Sequence, residues 1–185
     1  MNYKAVVTVA ASVEPVTLDE AKDQLRIGTD FTLDDTYISG LINSARDRVE
    51  EYCNRFFTEQ QVSLVFDGGF PSGSLTLPYP DLQTVDSIQY LDSGNTLQTV
   101  AGGDYFVDLI SQTVYLVGSW PGDAKNYRIN VTTGSPLDNE GVKASILMIV
   151  ADLYEHRTET VLAATVSENP AVTAMLYPYR VNLGI

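Results

Sequence analysis

The chain has 185 residues, 44% hydrophobic and 19% charged, enough apolar content for a core and too much for a disordered chain. Its 24 acidic and 11 basic residues leave a net charge of −13, which argues against a generic phosphate-binding surface and makes copies repel one another. One cysteine, Cys53, excludes an internal disulfide and a cysteine-based metal site.

The N-terminus, Met1-Asn-Tyr-Lys-Ala-Val-Val-Thr-Val-Ala-Ala-Ser12, is a poor signal peptide, with one lysine and an apolar run broken by threonine. The longest apolar run, Ile146–Ala151, is far short of a membrane span. A soluble protein made in the cytoplasm is expected.

Residues 16–57 read as two helices. Thr17-Leu-Asp-Glu20 is a capping-box pattern, Leu18, Ala21 and Leu25 follow at helical spacing, and Gly28 offers a stop. Asp34 or Asp35 then caps a longer helix with a wide apolar stripe: Tyr37, Ile38, Leu41, Ile42, Ala45, Val49, Tyr52, Cys53 and Phe56. Arg46–Glu50 and Glu51–Arg55 are expected to pair on its wet side.

The period changes over residues 60–134. Val62, Leu64 and Phe66 alternate with other residues, as do Tyr127, Ile129 and Val131. Short β-rich runs lie between them: Leu75–Leu77, Val85–Leu91, Leu97–Val100, Tyr105–Leu109 and Thr113–Val117. Gly, Pro and Asp clusters separate these runs. With no room for crossover helices, the spacing predicts five to seven antiparallel strands.

Residues 135–185 return to helical spacing. Ser135-Pro136 or Asp138 opens a largely buried helix through Val142, Ile146, Leu147, Ile149, Val150, Leu153 and Tyr154. A polar loop or mobile stretch runs to Glu168. Asn169-Pro170 then starts a short helix, which Pro178 ends. The whole, 1–185, reads as one α+β domain: a helical-bundle frame from both chain ends, with an inserted antiparallel β region.

No constellation of catalytic residues emerges. His156 falls near the end of the buried helix, where an imidazole can meet the last carbonyls, and the sequence names no nucleophile or metal partner for it. The glycine-rich stretch Asp67–Gly73 lacks a phosphate loop's Gly-Lys-Ser/Thr and reads as a turn. Asp34-Asp35 and Asp138-Asn-Glu140 miss the calcium-loop spacing. Cys53 belongs on the apolar stripe. No catalytic, metal or cofactor residue is therefore assigned. Tyr154, Arg157, Tyr177, Tyr179 and Arg180 form aromatic–arginine clusters of the kind favoured at protein interfaces. For Tyr154, Met175 and Leu176 the equal alternative is that they complete the core.

A succession of short motifs points to a family. In order they are Pro15-Val-Thr-Leu-Asp-Glu-Ala-Lys22, Asp35-x-Tyr-Ile-x-x-Leu-Ile-x-x-Ala-Arg46, Val49-Glu-x-Tyr-Cys-Asn-Arg-Phe56 and Leu77-Pro-Tyr-Pro-Asp-Leu-x-x-Val-Asp-Ser-Ile-x-Tyr-Leu91. Asp104-Tyr-x-Val-Asp108, Trp120-Pro121, Ala151-x-Leu-Tyr-Glu-x-Arg157 and Met175-Leu-Tyr-Pro-Tyr-Arg180 follow. The chain resembles the head–tail connector (adaptor, or head-completion) proteins of tailed bacteriophages and prophages.

The resemblance implies a structural virion protein, not an enzyme. It implies a homo-oligomeric ring between the portal of the DNA-filled head and a downstream connector or tail-completion protein. Viral DNA would pass through without sequence-specific binding, and an acidic lumen would suit that passage. No cofactor or membrane partner is implied. Arg180→Ala, or loss of the tail after Met175, is expected to spare the fold and impair assembly. The competing reading is a glycan- or peptide-binding module whose platform is Trp120 and the tyrosines of the β zone.

Overall fold

The computed structural model describes residues 3–68, 73–118, 124–134, 140–156 and 169–181. It is a mixed α+β fold, with four α-helices and eight antiparallel strands in two sheets among the described residues. The chain divides into two compact units, one of Met1–Ser12 with Thr58–Ser135 and one of Val13–Phe57 with Pro136–Ile185.

The helical unit holds α1 (Leu18–Leu25), α2 (Asp35–Cys53), α3 (Glu140–Glu155) and α4 (Pro170–Leu176). The capping box at the start of α1 is formed in full. The Glu20 amide donates to the Thr17 hydroxyl, and the Glu20 carboxylate accepts from the Thr17 amide at 2.7 Å. The predicted stop at Gly28 comes earlier: Arg26 takes a left-handed conformation (φ 58°), and its N–H closes on the carbonyls of Asp23 and Lys22. At α2, Asp34 is the N-cap, but its side chain makes no capping bond. Asn54, also left-handed, closes the other end on Glu50 and Glu51.

The core of this unit is the stripe Ile38, Ile42, Ala45, Val49 and Cys53 of α2 against Val142, Ile146, Ile149 and Val150 of α3, with Val16, Phe57 and Leu176. Full burial of each large side chain contributes about 1.5–3 kcal/mol. Helices from both ends of the chain thus bury one another, as their apolar spacing requires. In α3, Val142, Ser145, Ile146, Ile149 and Val150 are buried, Glu140, Asp152 and Glu155 are exposed and the other residues are half-buried; its predicted opening at 135–139 lies outside the described residues.

One sequence expectation is overturned here. Arg46 and Glu50 are not on a wet face: they are 7% and 6% exposed. Arg46 reaches Glu14 at 2.5 Å and Asp47 at 2.8 Å, with Glu50 at 3.8 Å, and Glu50 accepts the Phe57 amide. A partner 32 residues upstream in sequence makes burial of the guanidinium affordable, because a buried charge needs pairing.

The β unit holds β1 (Tyr3–Val9), β2 (Gln60–Phe66), β3 (Ser74–Thr76), β4 (Leu82–Leu91), β5 (Leu97–Thr99), β6 (Tyr105–Asp108), β7 (Thr113–Leu116) and β8 (Lys125–Thr133). The five-stranded sheet runs β1-β2-β8-β4-β5, and the three-stranded sheet β3-β7-β6. The seven strands after residue 60 follow the predicted runs closely. β1 was not anticipated.

Val62, Leu64 and Phe66 pair with Val131, Ile129 and Tyr127 across β2 and β8. These six, all buried, form the inward face of the larger sheet, and Leu75 and Val114 are buried in the smaller one. Because Gln60 pairs with Thr133, the long insertion begins and ends at one place.

Candidate interface

The carboxyl-terminal segment is tied to the end of α2. The Val181 amide donates to the Cys53 carbonyl at 2.8 Å, the Asn54 side-chain amide donates to the Val181 carbonyl at 3.0 Å, and the Cys53 thiol points at the Leu176 carbonyl. Asn169 starts α4 by accepting the Ala171 amide. The helix then passes directly into a 3₁₀ turn, Tyr177–Tyr179, that contains Pro178. The α-helical pitch thus ends at Leu176, two residues before Pro178, close to the stop read from the sequence.

Within that segment the roles divide. Leu176 is 3% exposed and belongs to the core, and Tyr179 packs partly against it. Tyr177 is 70% exposed. Arg180 is exposed and lays its guanidinium over the Tyr52 ring, 5.3 Å from the centroid. This geometry contradicts the expectation that everything after Met175 is dispensable for folding. The segment carries one core side chain and backbone bonds to α2.

Tyr154 lies elsewhere. Its hydroxyl donates to Asp34 Oδ2 at 2.5 Å, and its ring sits against Tyr37 at 6.1 Å. Asp34 is thus engaged by α3 instead of capping α2. The 18 steps from Asp35 to Cys53 make α2 about 27 Å long at 1.5 Å per residue. Tyr154 stands at one end of that helix and Tyr177, Tyr179 and Arg180 at the other, so the candidate residues form two clusters. Arg157 and Trp120 lie outside the described residues.

The sequence reading missed two features. A cleft of about 170 Å³ opens beside the tail between α2, α3 and α4, lined by Arg48, Tyr52, Met148, Asp152 and Thr173 among others. On the three-stranded sheet, Phe106 stacks across from Tyr115 at 6.2 Å, and both are exposed. Ile110, at the tip of that hairpin, is 96% exposed. Asp108 holds the tip by accepting from the Ile110 amide and the Ser111 hydroxyl, bonds that keep its carboxyl below the usual carboxylate range. Alternation in Tyr105–Asp108 and Thr113–Leu116 was legible, but which face stays open was not.

The polar chemistry is structural where it can be traced. His156 Nδ1 lies 3.0 Å from the Asp152 carbonyl oxygen and 3.3 Å from its carboxylate, an exposed pair at the end of α3. Lys22, 2% exposed, meets Asp35 at 2.5 Å and the Thr29 carbonyl at 3.4 Å. Burial pushes the Cys53 thiol up to about 11, which keeps it protonated and unreactive at neutral pH. Among the described residues no group of three or more His, Cys, Asp or Glu could hold a metal ion.

The architecture, a helical frame carrying a two-sheet β insertion, is that of neck chains in phage-like particles. A chain in the neck of an empty GTA particle computed with C6 symmetry superposes with a TM-score of 0.72 at 19% identity, covering 98% of this chain and 96% of that one. A chain of the virion of a native gene transfer agent (GTA) particle gives 0.73 at 17%, covering 96% and 95%. A neck chain of a native GTA particle computed with C12 symmetry gives 0.70 at 18%, covering 98% and 96%. Residues 15–75 match the family described as Phage gp6-like head-tail connector protein. That stretch holds α1, α2 and β2, and the match bears out the connector resemblance read from the motifs. No curated protein sequence matches the chain.

Proposed function

We propose that this protein is a structural component of the neck of a phage-like particle, a ring adaptor between the portal of a DNA-filled head and the tail. The observation that carries the reading is the coincidence of two independent comparisons. A connector family model matches the helical start of the chain, and neck chains share its fold over nearly its whole length. Exposed aromatic and arginine side chains at the C-terminal end of α2 supply contact chemistry without a catalytic role.

In this reading 1–185 works as a single connector domain within a homo-oligomeric ring in the virion, after synthesis in the host cytoplasm. Tyr154, Arg157, Tyr177, Tyr179 and Arg180 contribute to contacts with the portal or the tail-side neighbour. The net charge of −13 suits a conduit whose wall repels phosphates, letting duplex DNA slide.

The test is reconstitution. Added to DNA-filled heads that carry a portal but lack the adaptor, the protein should bind stoichiometrically at one vertex and restore tail attachment. Absence of binding at saturating protein would overturn the proposal. A ring whose lumen is lined by Lys and Arg would overturn the conduit argument alone.

A further inference from the structure

On the outward face of the five-stranded sheet, one row carries charge opposite to that of the chain. Register places Lys4, Val65, Arg128 and Gln89 in one row across β1, β2, β8 and β4, and Lys4 and Arg128 are both exposed. Lys4 and Arg128 are two of only three basic residues in residues 1–12 and 58–135, the third being Lys125. They stand two strands apart, about 10 Å at the usual strand spacing. In the next row, Val6, Ser63, Asn130 and Ser87 carry no charge. The acid at the far rim, Asp86, accepts the hydroxyls of Thr84 and Thr132.

The edge of this face is β1, which among the described residues pairs only with β2. Its valines 6, 7 and 9 are 42%, 45% and 51% exposed. An exposed apolar edge strand invites association unless something covers it.

A surface of the opposite character lies on the helical unit. Asp19 and Asp23, one turn apart on α1, are exposed, as is Asp30 in the loop that follows. Phe31 and Leu33 in that loop are 41% and 85% exposed. Arg26 is the one exposed cation among residues 18–33, so the surface stays net acidic.

We infer that the Lys4–Arg128 face and β1 edge of one copy receive the α1 surface, Asp19, Asp23 and Asp30 with Phe31 and Leu33, of the next copy. Cations with exposed valines meet carboxylates with an exposed Phe and Leu. The two surfaces belong to different parts of the chain, so the contact is head-to-tail, the kind that closes into rings and not into two-fold dimers. It also answers the difficulty set by the net charge: copies that repel overall associate through a locally complementary patch. The inference rests on the ring reading and names which surfaces build the ring.

Charge reversal tests it. Lys4→Glu with Arg128→Glu, and separately Asp19→Lys with Asp23→Lys, alter exposed side chains and leave the cores intact. Self-association is read by sedimentation velocity over a concentration series, with circular dichroism melts confirming that each variant folds. Each double variant is expected to weaken association at least about tenfold, because like-charge juxtaposition across an interface costs several kcal/mol. The four-fold variant is expected to recover it. Rings from wild-type protein that both double variants reproduce undiminished would overturn this contact and leave the ring reading standing. Weakening without recovery in the correctly folded four-fold variant would overturn the pairing of these two surfaces. Wild-type protein that stays monomeric at every concentration, and does not assemble on portal-bearing heads, would remove the ring reading itself and this contact with it.

Discussion

Leu176, Tyr177 and Arg180 sit within five residues of one another and meet very different surroundings. Leu176→Ala empties a core position, and such truncations cost about 2–5 kcal/mol; thermal melts should show it plainly. Arg180→Ala removes a cation–π contact at an exposed site, worth about 0.5–1 kcal/mol. Its melt should stay near that of the wild type. Removing everything after Met175 should therefore destabilise the helical unit before it says anything about assembly. Cys53 adds a pH dependence. Burial raises its thiol from 9.0 to about 11, so the folded chain holds this proton more tightly than the unfolded chain. That contribution is fully present below pH 9 and is lost as pH rises toward 11. Denaturant titrations should show stability falling across that window, and Cys53→Ala should flatten the fall.

Among the elements, α1 is held by its capping box. The Thr17 amide and hydroxyl draw the Glu20 carboxyl below its usual range, so this support is present above pH 4.5 and lost as the pH falls through the lowered value. Thr17→Ala should cost about 1 kcal/mol, measured by denaturation at neutral pH. The same box was legible in Thr17-Leu-Asp-Glu20, as were most strand positions, because alternation and turn residues are local signals. β1 was illegible for a physical reason. It is an edge strand with both faces largely exposed, so Val6, Val7 and Val9 show no period of two. Arg46 and Glu50 were misread because i, i+4 spacing suits a surface pair, while their burial depends on Glu14, a contact that no local pattern encodes. Asp34 was read as a cap, and a tyrosine 120 residues away claims its carboxylate. The candidate interface was legible in residue type but not in arrangement. Spacing in sequence sets no distance between Tyr154 and the tail residues, which α2 holds at opposite ends.

For the whole molecule, the insertion of residues 60–134 leaves from and returns to paired residues of β2 and β8, which lets α1 and α2 meet α3 and α4 as a bundle. That topology is shared with the neck chains of gene transfer agent particles, and the start of the chain carries the connector family's pattern. The central claim is that many copies of this chain close into a ring. Native mass spectrometry of the purified protein across a wide concentration range, alone and with portal-bearing heads, tests it most directly. The account predicts a single closed oligomer of many copies, with one copy number shared by free and head-bound material. A strict monomer under every condition would contradict it.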